Sequence, residues 1–231
     1  MILRRFLSLL MCGFPFIGAS ASGGYPDVGV DQAPFPTICY TATYEDIGPR
    51  GEHSGWTTVS SNGGGRIYYA NFDRDSETKK NYVIEDYIHL DEYILNSSNS
   101  SENKCEKFRR LYSYRLMGAQ TNESLLRWSF AKDGDKLVPV GEKSIDGHRC
   151  RGWKSGSDFA SGNEPYGIWS LKKWWFDKDT GCLVRQTEDQ GWNLPWLLHS
   201  RWETRLKKFE PVSLGAENFL VPSHVTSNSA F

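Results

Sequence analysis

Apolar and aromatic residues alternate with polar ones along short stretches of this chain, and clusters of turn-forming residues separate the stretches. Alternation at a period of two sends successive side chains to opposite faces of an extended strand. The stretches that read as strands are 39–44, 56–60, 66–72, 82–95, 107–114, 125–131, 137–142, 148–153, 167–176, 182–187 and 197–209. Between them, 61–65, 133–135 and 177–181 supply the glycine, asparagine and aspartate that tight turns require. No long window carries a helical period, and 213–219 has room for one helical turn. The pattern predicts an all-β fold of antiparallel strands with little helix.

The start of the chain follows a different pattern. Arg4 and Arg5 precede an apolar run over 6–18, and Ala19, Ser20 and Ala21 follow it. That order predicts a secretory leader over 1–21. Gly13, Pro15 and Gly18 interrupt the run, which is shorter than the about 20 residues of a spanning helix. No later stretch is apolar enough to span. Residues 22–38, rich in glycine, proline and aspartate, read as a loosely held lead-in; 39–225 read as one domain and 226–231 as a tail. The 231 residues carry 27 basic and 28 acidic side chains. A formal charge of −1 excludes a nucleic-acid binder that works by bulk phosphate neutralisation. An aromatic content of 14% excludes wholesale disorder.

Removing a leader that contains Cys12 leaves Cys39, Cys105, Cys150 and Cys182. An even set in a secreted chain reads as two disulfides, with three possible connectivities. Zinc sites favour short paired spacings such as Cys-x2-Cys, and none occurs here. Asn96, Asn99 and Asn122 each begin an Asn-x-Ser/Thr sequon. Asn96 and Asn99 lie in a serine-rich stretch expected to be an exposed loop, where a glycan is tolerated. Asn122, just ahead of the strand expected over 125–131, is also expected to be accessible.

Signatures of the common enzyme classes are absent: no Gly-x-Ser-x-Gly elbow, no His-Glu-x-x-His, no phosphate loop and no dinucleotide fingerprint. His53, His89, His148, His199 and His224 are scattered among charged and turn residues. Asp177, Asp179 and Glu188 match three positions of an EF-hand loop, but Cys182 stands where that loop needs its glycine. A hairpin turn between two strands is the preferred reading there. No catalytic residue, metal ligand or cofactor is assigned from the residues.

The C-terminal third is rich in tryptophan. Six of nine fall between Trp169 and Trp202. Over 169–175, alternation places Trp169, Leu171, Lys173 and Trp175 on one face and Ser170, Lys172 and Trp174 on the other. A sandwich core buried on both sides and an open aromatic-lined pocket both satisfy that pattern.

Several segments, in order and spacing, resemble the ependymin-related proteins. They are Gly147-His-Arg-Cys-Arg-Gly-Trp153, Tyr166-Gly-Ile-Trp169, Gly181-Cys-Leu-Val-Arg185 and a closing stretch from Phe209-Glu-Pro to Phe219-Leu-Val-Pro-Ser223. Upstream, 82–95 followed by Asn99 and Cys105-Glu-Lys is similar to that family's strand, glycosylated loop and cysteine. The resemblance implies a secreted glycoprotein with a LolA-like half-barrel, in which two curved antiparallel sheets stack around a deep hydrophobic pocket, often as a homodimer. It implies lipid or other hydrophobic ligands, calcium, and an extracellular-matrix or lysosomal setting. By position it pairs Cys39 with Cys182. The family's late cysteine is missing near Pro222, which leaves Cys105 to pair with Cys150. Pocket candidates in such a sheet are Tyr68, Ala70, Phe72, Tyr82, Ile84, Ile88, Trp169, Leu171 and Trp175, on a guessed strand parity.

Two functions follow as expectations. The first is a non-catalytic secreted glycoprotein that carries a lipid or hydrophobic small molecule in an aromatic pocket. The second is a calcium-dependent matrix or cell-adhesion glycoprotein with no carrier role. A carrier should have a contiguous apolar chamber, and an adhesion protein a filled core with clustered surface acids.

Overall fold

The computed structural model describes residues 33–73, 79–96, 105–109, 117–133, 136–156, 168–192, 200–212, 219 and 225–227. In chain order the elements are β1 (Cys39–Ile47), β2 (His53–Asn62), β3 (Arg66–Asp73), β4 (Lys79–Asp86), β5 (Asp91–Asn96), β6 (Cys105–Arg109), α1 (Met117–Thr121) and α2 (Glu123–Asp133). They continue with β7 (Val138–Ile145), β8 (His148–Gly156), β9 (Ile168–Asp177), β10 (Leu183–Trp192), β11 (Ser200–Pro211) and β12 (Val225–Ser227). All twelve strands join one open, curved sheet in the order β12-β6-β5-β4-β3-β2-β1-β11-β10-β9-β8-β7. Among the described residues, only the pairing of β12 with β6 is parallel. The all-β expectation holds, and the strands expected in two stacked layers run as two arms of one sheet, joined where β1 meets β11.

Three expected boundaries change. The stretch 82–95 is a hairpin rather than one strand, because Asp86 turns the chain: its Oδ1 accepts from the backbone N–H groups of Ile88 and His89, both at 3.1 Å. The sheet runs to Ser227, two residues into the expected tail. The lead-in is not wholly loose, since Ala33 is buried in the core and Phe35 packs against it.

The largest correction is 125–131, which forms most of α2 instead of a strand. Trp128, Ser129 and Phe130 look like strand alternation, yet Ser129 is buried, its hydroxyl bonded back to the Leu126 carbonyl at 2.9 Å. Wetter positions recur instead at Ser124, Arg127 and Ala131, a helical spacing. A helix wet on one narrow stripe carries little amphipathic contrast, so the two-residue pattern dominated the sequence.

This helix sits on one face of the sheet. Leu125, Leu126, Trp128 and Phe130 pack with Tyr40, Ala42, Tyr44, Val59, Ile67, Tyr69, Trp153, Trp174, Phe176 and Leu183. The opposite face carries a smaller cluster of Ile145, Cys150, Trp175 and Val184. Gly152 makes room for it. A Cβ there would lie 2.5 Å from the Trp175 ring, so no larger residue fits without moving the indole.

Candidate functional site

The helix pair is fastened to the sheet at the start of α2. Asn122 caps the helix, its Oδ1 accepting from the backbone N–H of Ser124 at 3.1 Å and of Leu125 at 3.2 Å. The same residue bridges to Cys182, and the Glu123 N–H donates to the Gly181 carbonyl at 2.9 Å. Glu123 Oε1 accepts from Arg151 Nη1 at 3.1 Å and from Trp153 Nε1 at 2.9 Å. The expected accessibility of Asn122 is therefore corrected: it is 4% exposed, and its side chain is spent on the cap. Asn96 is the last residue of β5, and Asn99 lies outside the described residues.

Three tyrosines of the sheet run beneath α2. Tyr40, Tyr44 and Tyr69 are all buried in the core, and burial raises each phenol well above its ordinary pKa. The hydroxyl of Tyr40 lies beside the Cys182 thiol and Thr121. Those of Tyr44 and Tyr69 have no hydrogen-bond partner among the described residues. The Nε1 of Trp174 is likewise unpartnered there. An unpaired polar group in a core costs about 1–3 kcal/mol. Phenylalanine would fill the same space without that cost.

Next to this apolar region the same face turns polar. Across the sheet, Gln186 stands opposite Thr204, Thr204 opposite Asp46, Thr57 opposite Asn71, and Asn71 opposite Asn81. Asp46 ties the row together, since Thr57 donates to its Oδ2 and Thr204 to its Oδ1, both at 2.8 Å. Burial raises the Asp46 carboxyl above its ordinary value, and the two hydroxyls pull against that rise. One step further out, Glu188 pairs with Lys172 at 3.0 Å and stands opposite Trp202, which is 45% exposed. The helix-side face thus joins an apolar floor to a polar border that solvent reaches.

The residues expected to line a pocket lie elsewhere. On β3, Ile67 and Tyr69 enter the core, so Tyr68, Ala70 and Phe72 face away from the helices, with Ile84 opposite Tyr68 and Tyr82 opposite Ala70 in the register. On β9, Trp174 and Phe176 enter the core, which places Leu171 and Trp175 on the far face; Trp169 is the second residue of that strand. Five strand spacings separate β3 from β9, roughly 24 Å along the sheet, so the two groups do not meet side by side. Ile88 sits in the turn and is exposed. The guessed parity is the one facing away from α2. Sequence reasoning missed Tyr40, Tyr44, Tyr69 and Asp46, although they alternate on their strands as regularly as the residues it chose.

The cysteine pairing is also corrected. Cys39, Cys150 and Cys182 are free thiols. The Cys39 thiol donates to the Asn62 carbonyl at 3.1 Å on the face opposite Tyr40, while Cys182 lies beside Tyr40 under the helices. Cys105 is on β6 and Cys150 on β8, with eight strands between them in the sheet. A disulfide needs Cα atoms within about 7 Å. Among the described residues, no group of three or more His, Cys, Asp or Glu side chains is disposed to hold a metal ion. The segment at Asp177 forms the expected hairpin turn: its Oδ1 accepts from the N–H groups of Asp179 and Thr180. No helix among the described residues is long and apolar enough to cross a membrane.

No protein-family model matches the sequence, and no curated protein does either. Solved structures are similar to it at low identity. A conserved protein of undetermined function from Thermus thermophilus has a TM-score of 0.47 at 10% identity, over 83% of this chain and 91% of its own. PNGF-II has a TM-score of 0.48 at 9% identity over 84% of this chain, which spans 31% of the PNGF-II chain. A domain described as outer membrane lipoprotein-sorting, from Vibrio parahaemolyticus, has a TM-score of 0.35 at 12% identity, over 79% of this chain and 89% of its own.

Proposed function

We propose that this protein is a non-catalytic, secreted carrier of an amphipathic ligand, whose apolar part lies between α2 and the sheet in place of Trp128 and Phe130. The observation that carries this reading is the pair of buried, unpartnered hydroxyls of Tyr44 and Tyr69 beneath a helix fastened at its N-terminal end. A core that served packing alone would do better with phenylalanine at both positions. Hydroxyls held there suit a polar atom of a bound molecule, and α2 can leave the sheet as a lid while Glu123 and Asn122 hold the hinge. The resemblance to ependymin-related proteins and the leader pattern over 1–21 support a secreted protein of the same kind, with glycans at Asn96 or Asn99. The far-face aromatics, Trp175 among them, hold the sheet together.

The test is native mass spectrometry of protein from its own source, followed by lipid extraction. The expected spectrum contains a mass above the glycosylated chain that organic solvent removes. A spectrum of bare chain, with no uptake of added amphiphiles, would overturn the carrier reading.

A further inference from the structure

Resting on that carrier reading, we infer that the polar border around Asp46 selects a ligand whose head is an ammonium group. Asp46 is a half-buried carboxylate whose hydrogen bonds come from two threonine hydroxyls, and among the described residues it has no ion pair. Each of its oxygens accepts one of those bonds and keeps a second lone pair for another donor. Its neighbours along the row, Asn71 and Gln186, offer amide oxygens. The nearby cation Lys172 is taken up by Glu188. Thr57 sits between Asp46 and the Asn71 side-chain oxygen, 2.8 and 3.1 Å away, so its single proton leaves one of those acceptors open. Trp202, opposite Glu188, adds an exposed ring at the rim, a surface that attracts cations.

Asp46 has no ion pair among the described residues and borders an apolar floor; His53, whose charge can reach it through space, sits 3.3 Å from Glu45. A carboxylate or phosphate head would meet Asp46 and Glu188 as like charges. A neutral polyol would leave the Asp46 charge unanswered. An ammonium on an apolar tail meets both halves of the face, the tail under α2 and three N–H donors at Asp46.

The experiment compares dodecylamine, laurate and monolaurin, which share a tail length, with butylamine as the short-tail control. Tryptophan fluorescence of the full chain reads binding. Charge-assisted bonds to Asp46 should give dodecylamine a dissociation constant about tenfold or more below that of laurate. Asp46→Asn, which keeps the shape and can still bond both threonines, should remove most of that preference with little change for monolaurin. Equal or tighter binding of laurate by the wild type would overturn the proposal without any variant, as would a preference that survives Asp46→Asn. Binding of none of the three amphiphiles is a different failure, that of the carrier reading itself.

Discussion

Trp153 and Glu123 meet across the seam between sheet and helix, the indole N–H donating to the carboxylate at 2.9 Å. The same oxygen accepts from Arg151, so one side chain of α2 satisfies two groups of β8. Glu123→Ala leaves both donors without that partner in a buried setting. The expected loss is about 1.5–3 kcal/mol, read as a lower melting temperature. Glu123→Gln keeps an acceptor for the indole and should lose less. If Glu123→Ala melts like the wild type, the helix is not held at this point.

Tyr44→Phe and Tyr69→Phe should move stability and binding in opposite directions. Each removes a hydroxyl that has no partner among the described residues, so each should gain about 1 kcal/mol in denaturant melts. Each should also weaken amphiphile binding. Loss of stability with unchanged binding would mean that the hydroxyls serve the core alone.

The free thiols give a chemical test of the corrected pairing. Burial pushes Cys150 and Cys182 up to about 11, and the thiolate is the reactive form. Iodoacetamide at about pH 8 should spare both in the folded protein. In denaturant without reductant it should label Cys39, Cys150 and Cys182. Labelling that appears only after a reductant is added would restore the disulfides.

Asp86 makes the fold acid-sensitive at one turn. Burial would raise its carboxyl, but bonds from His89 and Arg66 outweigh burial and hold it below the ordinary 3.8. A depressed carboxyl stabilises fully above its unfolded value, and that contribution fades as pH falls from 3.8 through the folded value. The stability gap between wild type and Asp86→Asn should therefore be wide at about pH 5 and narrow at about pH 2.5. A gap independent of pH would exclude Asp86 as the titrating group.

How much of this was legible in the sequence depends on what each residue answers to. Strand existence was readable because alternation is local, and β1, β3, β8 and β9 lie where the pattern put them. The helix was not, because α2 is buried nearly all round and its cap residue Asn122 also spells a sequon. Which face of β3 and β9 meets the helix was equally hidden. Trp174 and Trp175 are chemically alike, and the choice between them depends on which face α2 covers. The polar border was invisible for a third reason. Asp46, Thr57, Asn71, Gln186 and Thr204 are ordinary polar positions in their own strands and become a row only when five strands come into register.

Hydrogen exchange over α2, with and without saturating amphiphile, tests the central claim most directly. If the ligand takes the place of Trp128 and Phe130, amides in the second half of Glu123–Asp133 should exchange faster in the loaded protein, while those of β1 and β2 keep their protection. A loaded protein in which α2 keeps its protection would contradict the account.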